Sequence, residues 1–97
     1  MAQVIYSDEA FADFERIVDF LLETSPKVAA QALDSIGGAI GILESHPFIG
    51  RRVDDHIREL VISRGATGYV ALYPFDPSYD VVRILRIRHQ REAGYRE

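Results

Sequence analysis

Apolar residues recur at two periods along this chain, and the change of period separates a helical first half from a pleated second half. Phe11, Phe14, Ile17/Val18 and Leu21 return every three or four positions, with Asp13, Glu15, Arg16 and Asp19 between them. That is the spacing of one helix face. The start is well marked. Ser7 can cap, Asp8 and Glu9 suit the positive end of the helix dipole, and Tyr6 with Phe11 occupy the two positions of a hydrophobic staple. The pattern predicts a helix to about Glu23. Ser25 and Pro26 supply a second cap and a proline at the first helical position, and Ala29, Ala32, Ile36, Ala39/Ile40 and Leu43 mark a second helix to about Glu44. So short a link predicts an antiparallel hairpin. Gly37, Gly38 and Gly41 lower helix propensity and predict a flat spot for close approach of another element, with a kink as the alternative. The acids Asp8, Glu9, Asp13, Glu15, Asp19 and Glu23 read as a solvated helix face.

Elsewhere the period is two. Ala2 to Tyr6 is a short strand candidate, and the His46-Pro47 to His56 stretch reads as a loop punctuated by proline and glycine. Arg58 to Arg64, Tyr69 to Phe75 and Val81 to Arg88 are strand candidates joined by turns too short for anything but an antiparallel meander. Pro74 predicts a bulge or a strand end. Strict alternation through the last strand groups Val82, Ile84, Arg86 and Arg88 on one face, and Arg83, Leu85, Ile87 and His89 on the other. Neither face is wholly apolar, so this strand is expected to leave the core at its midpoint. The predicted fold is α+β, with residues 1–97 as a single domain. An N-terminal strand and a helical hairpin precede a three-stranded antiparallel meander, and the hairpin covers one face of the curved sheet.

Composition narrows the chemistry. The net charge is −4, but residues 1–46 carry eight acidic side chains against Arg16 and Lys27, whereas residues 47–97 carry nine basic and seven acidic ones. A polyanion would therefore meet the second half. There is no cysteine, which fits a reducing compartment, and no apolar run approaches the roughly 20 residues that span a bilayer. A soluble, cytoplasmic protein is expected. His46, His56 and His89 lack the spacing of a metal site, and no nucleophile elbow or phosphate loop is present, so neither a metal nor a cofactor is expected.

What remains is a cationic rim of Arg86, Arg88, His89, Arg91 and Tyr95, joined by Arg58 and Arg64 from the preceding strand. Metal-free RNA cleavage needs a group that moves protons, guanidinium to neutralise the phosphate, and a ring that stacks on a base. His89, the arginines and Tyr95 are the residue types for those roles. The plainer reading pairs the arginines with Glu59, Asp80 or Glu92 at the surface. Tyr69 and Tyr73 read as core.

The segments His46-Pro47-Phe48-Ile49-Gly50-Arg51, Ile57-Arg58-Glu59-Leu60, Gly68-Tyr69-Val70-Ala71-Leu72-Tyr73 and Ile84-Leu85-Arg86-Ile87-Arg88-His89-Gln90-Arg91 resemble, in order and spacing, the RelE/ParE superfamily of bacterial type II toxins. The resemblance implies a toxin neutralised by a cognate antitoxin in a toxin-antitoxin hetero-oligomer. Its target would be DNA gyrase on the ParE-like side, slightly favoured by the long helical hairpin and the His-Pro…Gly-Arg loop. On the RelE-like side the target would be messenger RNA on the ribosome, cleaved without a metal. A non-toxic binding or autoregulatory homologue is the third class. In the RelE-like case, His89, Arg91 and Tyr95 match the positions of a catalytic arginine, a further basic residue and a tyrosine. Arg64, Arg86 and Arg88 are the expected contacts to the target or to nucleic acid. Val70 stands where RelE-like toxins carry an arginine after the tyrosine, a departure that weakens the ribonuclease side.

Overall fold

The computed structural model describes residues 1–62 and 68–89. The chain opens with β1 (Gln3–Tyr6) and turns at once into α1 (Asp8–Thr24). The Ser7 hydroxyl accepts from the Ala10 N–H at 3.0 Å and donates to the Leu85 carbonyl at 2.9 Å, so one side chain caps the helix and ties it to the sheet. The staple forms, with the Tyr6 and Phe11 rings 5.4 Å apart. Ser25 is the whole link to α2 (Pro26–Gly41). Its N–H closes α1 on the Leu21 carbonyl at 2.8 Å, and its hydroxyl accepts from Val28 at 3.3 Å to open α2. A turn of 3₁₀ helix, Ile42–Glu44, completes the expected second helix.

The inner faces of the helices are close to expectation on α2, where Ala29, Ile36, Ile40 and Leu43 of the turn are buried. On α1 they are not. The buried positions are Ala10, Asp13 and Ile17, while Phe11 is exposed. Asp13 is thus no part of a solvated face. The flat spot is corrected too: α2 is continuous, and a Cβ added at Gly37, Gly38 or Gly41 would meet nothing within 4 Å. None of the described elements uses these glycines for close approach.

The remaining strands are β2 (Arg51–Arg52), β3 (Arg58–Val61), β4 (Tyr69–Tyr73), β5 (Phe75–Asp76), β6 (Val81–Ile84) and β7 (Arg86–His89). They form two hydrogen-bonded groups in the orders β1-β6-β5 and β2-β3-β4-β7, with β1 parallel to β6 and all other pairs antiparallel. Pro74 separates β4 from β5, as a strand-ending proline should. The groups are continuous through Arg83 N–H to Pro74 O at 3.2 Å and Leu85 N–H to Leu72 O at 2.8 Å.

The predicted alternation of the last strand fails at Leu85, for a reason set by register. Phe75 lies opposite Val82 and Leu72 opposite Arg86, so Tyr73 and Pro74 face three residues, Arg83, Ile84 and Leu85. The extra residue is a β-bulge, which reverses the inside–outside phase downstream. Ile87, not Arg86, therefore joins Val82 and Ile84 in the core, all three fully buried. Leu60, Ala71 and Ile87 make one row across the sheet beneath the helices, alongside Tyr69 and Tyr73.

Candidate functional site

His89 ends β7 opposite Tyr69, and the two rings meet edge to face with centroids 5.3 Å apart. It therefore shares the sheet face of Tyr69, Ala71 and Ile87. Arg88, one residue earlier, projects to the other face opposite Val70. The Arg88 Nε atom is buried with no hydrogen-bond partner among the described residues.

Arg86 has a partner that none of the expected surface pairings included. Its Nε donates to Asp13 Oδ2 at 2.7 Å and its Nη2 to Asp13 Oδ1 at 3.0 Å, a two-toothed contact from β7 to the middle of α1. The Ile87 N–H also donates to Asp13 Oδ2 at 2.9 Å, and Arg16 Nη2 reaches Oδ1 at 3.4 Å. Asp13 is 4% exposed. Burial works against its charge, but the Arg86 hydrogen bonds, the Ile87 amide, the Arg86 charge and Arg16 outweigh it and hold the carboxyl below its usual range. Because β7 is an edge strand among the described residues, Asp13 also satisfies a backbone donor that the sheet leaves open.

The His-Pro-Phe-Ile-Gly-Arg loop is fixed by two residues from the sheet. The Tyr73 hydroxyl donates to the Pro47 carbonyl at 3.0 Å and accepts from the Gly50 N–H at 2.9 Å, and burial raises the phenol pKa. Arg58 Nη1 donates to the carbonyls of Phe48 at 3.0 Å and Gly50 at 2.8 Å, with its guanidinium 5.1 Å from the centre of the Phe48 ring. Arg58 is a brace for this loop. Beyond it, residues including Phe48, Arg52, His56, Tyr79 and Arg83 line an open cleft of about 780 Å³. Arg58 lies opposite Tyr73, so the cleft and His89 sit at opposite ends of β4, about 13 Å apart along the strand.

Among the sequence-derived candidates, then, Arg86 and His89 lie on one strand with different partners, and Arg88 faces away from His89. Arg64, Arg91 and Tyr95 lie outside the described residues. Asp13 was missed, although its spacing from Ala10 and Ile17 puts it on the inner stripe of α1. Among the described residues no cluster of three or more His, Asp or Glu could hold a metal, and no helix is long and apolar enough to cross a membrane.

The family model for the ParE toxin of the type II parDE toxin-antitoxin system matches residues 4–94. The chain belongs to the ParE toxin family. Its general role is that of a toxin in such a module. Toxin RelE3 of Caulobacter vibrioides is 38% identical over 92 residues, spanning 95% of this chain and 98% of the relative. Toxin RelE1 of the same organism is 34% identical over 89 residues, spanning 92% and 94%. The ParE-family fold recurs in the chromosomal ParDE system of P. aeruginosa, with a TM-score of 0.73 at 22% identity over 92% of this chain and 96% of that one. It recurs in the RelBE2 toxin-antitoxin complex of Mycobacterium tuberculosis, with a TM-score of 0.62 at 23% identity over 91% and 96%. The strand-hairpin-meander order expected from the sequence is the observed one.

Proposed function

We propose that this chain inhibits DNA gyrase by binding it, and that the end of β7 forms part of the contact. The observation that carries the reading is the dispersal of the described members of the cationic set. RNA cleavage needs guanidinium and a proton-moving group aimed at one phosphate. Arg86 is committed to Asp13, Arg88 projects from the sheet face opposite His89, and Val70 replaces the arginine expected beside Tyr69. A binding poison needs no such convergence. Arg88 and His89, at the end of an edge strand on the basic half of the chain, offer it a cationic contact surface.

The names of the Caulobacter relatives favour a second reading, metal-independent cleavage of messenger RNA on the ribosome. His89, with Arg91 and Tyr95, would then form the active site. One purified preparation separates the two readings when assayed for gyrase supercoiling and for cleavage of a translated messenger RNA. Loss of supercoiling with intact RNA is the expected result; codon-positioned cuts with normal supercoiling would overturn it. Growth unaffected by expression without antitoxin would point to the non-toxic class.

A cognate antitoxin is the natural cover for the exposed apolar side chains of the helical hairpin, Phe11, Phe20, Leu22, Val28 and Leu33. Acidic Glu15, Asp19 and Glu23 lie beside Phe20 on α1, so the fitting partner segment is amphipathic with basic flanks. The matching family model is that of a toxin in a type II toxin-antitoxin system, which supports that partner.

A further inference from the structure

The carboxylate of Asp13 reaches both the side chain of Arg86 and the backbone of Ile87, and these are the first two residues of β7, directly after the bulge. On its inner edge β7 is held by β4 through the four register pairs from Tyr69–His89 to Leu72–Arg86. On its outer edge Asp13 supplies the contacts, two residues before His89. The carboxylate is buried, two of its three donor residues belong to β7, and both of its oxygens are used. An ordinary helix-to-sheet contact would need only an apolar side chain at this position. A buried carboxylate is costly unless fully satisfied, so its presence on the inner stripe calls for a directional task.

We propose that Asp13 is a positioning residue for the toxic surface: with Arg86 it forms a clamp from α1 that fixes the end of β7, and thereby the orientation of Arg88 and His89 toward the target. The proposal rests on the reading that the end of β7 contacts the target, and extends it to a residue on a different element. Arg86 acts through Asp13 and does not touch the target. The clamp also joins the contact strand to α1, the helix whose exposed face carries Phe11 and Phe20.

The test uses the full-length toxin with Asp13→Asn, which keeps the shape and removes the charge, and Arg86→Lys, which keeps the charge and removes the two-toothed geometry. Ile36→Val, a core change on α2, serves as the control for simple loss of stability. Three quantities are read: the melting temperature, amide exchange of Ile87 to His89 with the His89 ring resonances, and the toxin concentration that half-inhibits the target. In both clamp variants the β7 amides should exchange faster and the His89 resonances shift, and the half-inhibiting concentration should rise about tenfold. Ile36→Val should leave the last two unchanged. Unaltered β7 exchange and His89 resonances in both clamp variants would overturn the clamp itself. Altered β7 with unchanged inhibition would overturn the placement of the contact surface and leave the clamp standing. An equal loss of inhibition in Ile36→Val would reduce Asp13 to a stability element.

Discussion

Gly50 donates its backbone N–H to the Tyr73 hydroxyl at 2.9 Å, and a Cβ on Gly50 would stand 2.5 Å from that same oxygen. The glycine is therefore required by approach, because Tyr73 is fully buried and the Glu59 carbonyl closes the other side at 3.0 Å. Tyr73→Phe leaves the Gly50 N–H and the Pro47 carbonyl without their partner. A loss of about 1 to 3 kcal/mol is expected, read as a lower urea midpoint at unchanged slope. An unmoved midpoint would show that water replaces the hydroxyl. Gly50→Ala should cost more than Tyr73→Phe, since backbone must shift to admit it.

Asp13 makes stability depend on acid in a defined direction. Its folded pKa is depressed, so the unfolded chain binds the proton more readily and stability rises with pH in that interval. The contribution is complete above the unfolded carboxyl value of about 3.9 and disappears as pH falls through the lower folded value. Urea midpoints followed downward from about pH 6 should therefore converge between the natural chain and Asp13→Asn at the acid end. A constant gap at every pH would mean that the lost hydrogen-bond geometry, not the charge, carries the difference. Asp54 is also depressed, by the His56 and Ile57 amides, but it lies in an exposed turn and Asp54→Asn should remove only a small part of the acid sensitivity.

Gly38→Ala should stabilise. The position is helical, exposed and open on the side where the methyl would sit. The gain is about 1 kcal/mol, equivalent to about 4 to 8 °C in melting temperature for a domain of this size. A weaker complex with antitoxin in the same variant would place this stretch of α2 inside the complex.

Phe20 is 67% exposed and separates binding from folding. Phe20→Ala should leave the melting temperature of the free toxin nearly unchanged and weaken antitoxin binding about tenfold or more, as loss of an aromatic anchor does. Unchanged affinity would move the antitoxin off this face of α1.

Arg88 and Arg86 should part company when each is replaced by alanine. Arg88→Ala is expected to raise the half-inhibiting concentration about tenfold with the larger effect at low salt, the signature of a contact charge. Arg86→Ala should lower the melting temperature instead, because it strands the buried Asp13 carboxylate. Equal thermal losses in both would make Arg88 a structural residue as well.

Local signals were readable and nonlocal ones were not. Ser7, the Tyr6–Phe11 staple and the Ser25-Pro26 junction act over a few residues, and each does what its type and spacing predict. The helical hairpin and the meander follow from them. Asp13 was misplaced because periodicity ranks positions by side-chain polarity, and a charged residue on an inner stripe looks like an outer one until its partner is known. That partner lies 73 residues away. The bulge was invisible for a related reason, since a strand's phase is set by the register of its neighbour. Among the site residues, the opposite faces of Arg88 and His89 followed from simple alternation, whereas the face that meets the core followed from the bulge and could not precede it.

The extra residue at Leu85 gives the segment from Val81 to His89 an unusual intolerance to changes in length. Its first half keeps step with β5 and its second half with β4, and the two registers differ by one position. Removing Leu85 would leave Val82, Ile84 and Ile87 on one face by simple alternation, but it would take away the carbonyl that holds the Ser7 hydroxyl and the N–H that reaches the Leu72 carbonyl. Adding a residue there would likewise dislocate the Ser7 and Asp13 attachments on either side. Variation in this family of sequences is therefore expected to substitute residues freely around this point while conserving their number.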